Sequence, residues 1–134
     1  MFTAGCSKSN DQQFADQVQM VRDGKSSVID IREKPISGDQ VLQSLQNIVG
    51  VRSLNLDNSP VTDAALQALG PMPELKDLSL TRTLITDDAL SMIVRQFPGL
   101  EVLRLDRTVI TDKSLSELSK LTSLQQLSMV SPIL

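Results

Sequence analysis

Three stretches of this chain repeat one another position by position. One places apolar residues at Val51, Leu54, Leu56, Val61 and Leu66. The next places them at Leu75, Leu78, Leu80, Ile85 and Leu90, and the third at Leu100, Leu103, Leu105, Ile110 and Leu115. Matching positions lie 24 and then 25 residues apart. A period in this range marks a stacked-repeat architecture. No single unit can bury its apolar side alone, so each must pack against its neighbours.

Each part of the unit has a physical task. In Leu-x-x-Leu-x-Leu the alternating leucines of a short strand point inward and the residues between them point out. The chain then turns, and Val61, Ile85 or Ile110 returns to the core. Thr62-Asp63, Thr86-Asp87 and Thr111-Asp112 follow at one phase. A Thr hydroxyl at a helix start can accept from a free backbone N–H, and an Asp beside it suits the positive end of the helix. The recurrence of these pairs points to capping and away from catalysis or metal binding. Leu66/Leu69/Met72, Leu90/Ile93/Phe97 and Leu115/Leu118/Leu121 are expected to form the inner stripes of short helices, and the second of the three clear units owes its extra residue to the stretch between Ile93 and Phe97. Pro71-Met72-Pro73 and Pro98-Gly99 end two of them.

Outside the clear units the pattern weakens. Val28 to Ile31 reads as a strand aligned with the one near Leu54, and Ser37-Gly38-Asp39-Gln40 has capping-box spacing. This is a degenerate first repeat. Phe14, Val18 and Val21 make one apolar helix face, with Asn10 or Asp11 as its cap and Gly24 as its stop. Leu124, Leu127 and Met129 begin a further unit that stops where its turn would be. The expected organisation is therefore a tail at 1–10, a capping helix at 11–25, and repeats at 26–134: one degenerate, three clear and one partial.

These residues resemble the leucine-rich-repeat pattern L-x-x-L-x-L-x-x-N/C-x-L. With Ser59, Thr83 and Thr108 at the Asn/Cys position and Thr-Asp following, they are most similar to the cysteine-containing class and its bacterial Thr variant, found in planctomycete-type envelope proteins. The resemblance covers about residues 26–134. It implies an α/β fold: a right-handed solenoid, or horseshoe, with a parallel sheet on the concave face and short helices on the convex face. Members of the family usually bind proteins. In the first repeat Lys34 fills the Ser/Thr position and Gly38 the Asp position, which fits an N-terminal cap.

Near the start, Thr3-Ala4-Gly5-Cys6 resembles the end of a bacterial lipobox, with Ser7 to Asn10 as a polar tether. Thr3 stands where that motif has an aliphatic residue, and the basic and apolar regions of a signal peptide do not precede it. Cys6 is accordingly either a lipidation site or an incidental thiol. The first alternative implies an envelope-facing, lipid-anchored protein; the second leaves a cytoplasmic one.

Composition narrows the function. The chain of 134 residues has no histidine, one cysteine, three phenylalanines, and neither tyrosine nor tryptophan. Imidazole bases and His-dependent triads are excluded, as are zinc clusters and internal disulfides. The net charge of −3 comes from interspersed charges, which argues against nucleic acid as a partner. No cofactor is implied, and an enzyme is not expected.

Strand alternation lays out columns on the outward face. One runs Asp30, Asn55, Ser79, Arg104, Ser128; the next runs Arg32, Asp57, Thr81, Asp106, Val130; a third runs Val28, Ser53, Asp77, Val102, Gln126. The expected binding residues for a protein partner are Asn55, Asp57, Ser79, Thr81, Arg104 and Asp106, with Arg104 placed to fork onto a carboxylate. The alternative function is a structural or assembly role, in which the uncapped C-terminal repeat docks onto another chain or a second copy.

Overall fold

The computed structural model describes residues 9–33 and 36–130. Cys6, and the lipidation reading with it, lies outside them, as do Lys34 and residues 131–134. The architecture is α/β: one open five-stranded parallel sheet with helices, in a leucine-rich-repeat-like order. The strands are β1 (Val28–Asp30), β2 (Ser53–Asn55), β3 (Asp77–Ser79), β4 (Val102–Arg104) and β5 (Gln126–Ser128), and they pair in chain order. Parallel neighbours need a crossover of a dozen residues or more. Here each crossover carries a short helical segment: a 3₁₀ stretch Asp39–Leu45, then α2 (Asp63–Leu69), α3 (Asp88–Gln96), and a 3₁₀ turn Asp112–Ser114 that runs into α4 (Leu115–Leu118).

The register follows the sequence period. Ile29, Leu54, Leu78, Leu103 and Leu127 align across the five strands. The first four are wholly buried, with Leu56, Leu80 and Leu105 beside them and Val61, Ile85 and Ile110 returning from the turns. At the strand starts, the carbonyls of Ser27, Arg52, Lys76 and Glu101 each accept two N–H groups from the next repeat.

α1 (Asn10–Arg22) buries Phe14, Val18 and Val21. Its N-cap is Ser9, one residue before the expected Asn10 or Asp11, and the Ser9 side chain accepts from the Gln12 N–H. Gly24 takes the left-handed conformation that ends the helix, at φ 75°. The Gln17 amide faces the outer edge of β1. Its Oε1 accepts from the Asp30 N–H at 2.7 Å, and its Nε2 donates to the Asp30 carbonyl at 3.0 Å. A side chain thus stands in for the missing strand.

The Thr-Asp pairs meet the expected capping only in part and do something further. Thr111 is the N-cap of its 3₁₀ turn and accepts from the Lys113 N–H at 3.3 Å, Thr86 accepts from the Asp88 N–H at 3.4 Å, and Thr62 starts α2 without a side-chain cap bond. Each hydroxyl also donates to the aspartate of the preceding repeat. Asp39 accepts the N–H and O–H of Thr62, Asp63 those of Thr86, and Asp87 those of Thr111 together with the Ser114 hydroxyl. The expected capping box at Ser37 does not form. Ser37 gives its N–H and O–H to Asp11 of α1, at 2.8 and 2.6 Å, and the 3₁₀ stretch starts from Gly38 with no side-chain cap. A bond to a carboxylate is about twice as strong as one between neutral groups, and a hydroxyl that donates to one can still accept, as Thr111 does from Lys113.

The inner stripes are also corrected. α2 ends at Leu69, so Met72 is buried from the following loop. Leu115 is 38% exposed where Leu66 and Leu90 are fully buried, because α4 has no helix stacked beyond it among the described residues. The same holds for β5, whose Leu127 is 43% exposed.

The Asp87 carboxyl is held below the ordinary value of 3.8, first by the Ser114 hydroxyl, then by the N–H and O–H of Thr111, with Lys113 nearby, against a small opposing effect of burial. A depressed folded-state pKa contributes stability that is full above 3.8 and lost as pH falls through the lower folded value. Between about pH 5 and about pH 2.5, the urea midpoint of the wild type should therefore fall further than that of Asp87→Asn. Parallel falls in the two proteins would show that this staple does not contribute to acid sensitivity.

Candidate functional site

The sheet has one face packed on the helices and one face open. On the open face the observed columns are the expected ones: Val28–Ser53–Asp77–Val102–Gln126 and Asp30–Asn55–Ser79–Arg104–Ser128. Just past the strand ends, Asp57 is joined to Thr81, and Asp106 to Val130. The six expected binding residues therefore share one face, within three neighbouring repeats.

Their environments differ. Asp57 accepts the Ser79 hydroxyl at 2.6 Å and the Thr81 N–H at 2.9 Å, while Asn55 Oδ1 accepts from the Asp57 N–H at 3.0 Å. Asp106 accepts the Ser128 hydroxyl and the Val130 N–H in the same way. These carboxylates form a second set of cross-repeat staples, and they hold their remaining lone pairs toward the open face. Ser79 is only 1% exposed; it offers a partner no surface and acts by positioning Asp57. Asn55, Thr81 and Arg104 are half-buried.

Arg104 already stands beside a carboxylate of its own chain. Its Nη1 lies 3.0 Å from Asp77 Oδ1 on the preceding strand, and Asp106 is taken up by the last repeat. Arg32 pairs likewise with Asp30, at 3.2 Å. Exposed pairs of this kind contribute about 0–1 kcal/mol; their effect is to fix side-chain direction. A hollow of about 280 Å³ opens where Arg32, Asn55, Asp57, Asp77 and Arg104 converge. It is polar, and the carboxylates of Asp30, Asp57 and Asp77 outnumber its two arginines. Among the described residues, no cluster of three His, Cys, Asp or Glu side chains could hold a metal ion, and no helix is long and apolar enough to cross a membrane.

Alternation along strands cannot locate what lies in the turns that follow them. Asn58, Arg82 and Arg107 occupy one turn position in successive repeats, all left-handed, with φ of 64°, 58° and 57°. Their N–H groups donate to the carbonyls of Thr81, Asp106 and Val130 in the next repeat, so the stacking enforces the conformation. It costs an ordinary side chain about 1–2 kcal/mol, and Asn tolerates it better than Arg. Two residues further on, Pro60, Leu84 and Val109 are exposed. Repetition of Thr-Arg-Thr-Leu at 81–84 and Asp-Arg-Thr-Val at 106–109 is the sequence signal for this rim.

No protein-family model matches the chain, and a search of curated proteins finds none that matches. Among solved structures the fold resembles one titled Leiomodin-1 Actin-Binding Site 2 (ABS2), with a TM-score of 0.70 at 19% identity, over 90% of this chain and 80% of that one. At that identity the likeness is one of fold.

Proposed function

We propose that this chain is a non-enzymatic protein-binding module whose repeats curve as a right-handed leucine-rich-repeat solenoid and present the sheet as its concave face. The observation that carries the reading is the open face itself. Arg104, Asp57 and Asp106 stand there half-exposed, with their directions already fixed by ion pairs and cross-repeat bonds. Fixing a contact group before binding lowers the ordering cost of association. Five strands spaced about 4.8 Å apart give a face about 20 Å across, a small recognition patch below the roughly 800 Å² that a standard interface takes from each partner. The structural neighbour, whose title names it an actin-binding site, supports a protein ligand in general terms.

A photo-crosslinking residue at Thr81 should capture a protein in the cells of origin, while the same residue at Gln67, exposed on α2, should not. Arg104→Glu combined with Thr81→Lys should remove that partner without unfolding the chain. Capture from Gln67 alone would reject the face as the binding surface.

The lipobox-like Cys6 favours a bacterial, lipid-anchored, envelope-facing setting for the module. Intact mass spectrometry of protein expressed with its upstream genomic region checks this: Cys6 should be acylated at the mature N-terminus, and an unmodified thiol would count against the anchor.

A second reading, assembly through the last repeat, has its own observation. Leu127 is 43% exposed in the strand position that is fully buried in β1 to β4, and the Asp112 side chain takes no hydrogen bond among the described residues. On this reading sedimentation shows concentration-dependent association, and Leu127→Lys, an edge-protecting change, abolishes it at unchanged thermal stability. A wild-type chain that stays monomeric at high concentration would end this reading.

A further inference from the structure

We propose that the turn rim carrying Arg82, Leu84, Arg107 and Val109 is a second binding surface, separate from the sheet face, and that it takes an acidic peptide segment bearing apolar side chains. Three independent features of this rim meet. First, Arg82 and Arg107 sit at φ 58° and 57°, a left-handed position that the preceding repeat fills with Asn58. Asparagine relieves the strain through its short polar side chain, whereas arginine gains nothing from the local backbone. Neither guanidinium has an ion-pair or hydrogen-bond partner among the described residues. Second, the two arginines occupy one turn position in adjoining repeats, about 5 Å apart at the backbone. Like charges brought this close repel, so stability does not account for their choice. Third, Leu84 and Val109, two residues along in the same turns, are 59% and 57% exposed. They lie side by side at the position that Pro60 occupies one repeat earlier.

Two unpaired guanidinium forks next to two aliphatic side chains match a ligand with the converse chemistry. Carboxylates meet the forks bidentately, and an apolar side chain between them covers Leu84 and Val109. An anionic bilayer would also supply negative charge and apolar matter. Asp57 and Asp106, however, immediately precede Asn58 and Arg107, and the chain carries a net charge of −3. A broad anionic surface would meet those carboxylates, and a narrow peptide would not.

The position also supplies its own control, because the substitution that removes the cations suits the backbone better. In fluorescence polarisation, the wild type should bind a labelled twelve-residue peptide of alternating glutamate and leucine at least about tenfold more tightly than its lysine-for-glutamate counterpart, with affinity falling as salt rises. Arg82→Asn with Arg107→Asn should lose that preference while the urea midpoint stays the same or rises. Leu84→Ser with Val109→Ser should weaken binding several-fold and leave the salt dependence in place. Equal binding of the two peptides by the wild type, or full binding by the double asparagine variant, would overturn the proposal. Binding to phosphatidylserine vesicles in preference to the peptide would overturn it in favour of a membrane. Retention of peptide binding by Arg104→Glu with Thr81→Lys separates this surface from the sheet face.

Discussion

One interaction ties the repeats together in order: an aspartate that receives both the N–H and the hydroxyl of a Ser or Thr one repeat later. Asp11, Asp39, Asp63 and Asp87 each do this. Leucine burial brings neighbouring units together, but burial is non-directional and tolerates sliding. A carboxylate that must meet two donors from one residue does not. Most of these bonds lie at the surface, so each contributes less than a shielded bond to a charged group, and their effect is chiefly directional. The staples thereby select among the ways in which apolar stripes could stack, and the strand register is the result.

A related device appears on the open face, where Asp57 and Asp106 each accept the hydroxyl and the N–H of two residues in the next repeat. The second use is where scaffold and surface meet. A carboxylate satisfied along one edge by the next repeat keeps its other lone pairs outward at a fixed angle. On the proposed binding face, a residue that holds the stack together would also be one that a partner touches.

Much of this was legible from the chain, because a period of 24 or 25 residues carries register with it. The column Asp30, Asn55, Ser79, Arg104, Ser128 followed from alternation and repeat spacing, and it is the observed pairing. The direction of side-chain bonds was harder to read. Thr62, Thr86 and Thr111 stand where a capping residue belongs, and nothing local shows that their hydroxyls also donate to the repeat before. Asp63 and Thr86 lie 23 residues apart, so a search for acidic and hydroxyl residues one period apart would have found them. That Arg104 reaches Asp77 on the preceding strand was not legible either, because the pair lies diagonally across two columns. Gln17 had no signal at all: its role depends on where α1 lies across β1.

That glutamine has a consequence for how many copies can join. With its amide occupying the peptide groups of Asp30, the outer edge of the first strand is covered, and among the described residues the uncovered backbone edge of the sheet is that of β5. Copies of these repeats would not add head to tail through their sheets, since the edge of one would meet the covered side of the next. A sheet-to-sheet pair of the described repeats would have to be two-fold, the last strand meeting its own image, and would use both uncovered edges at once. A glutamine on the capping helix therefore sets which symmetry such a pairing could have.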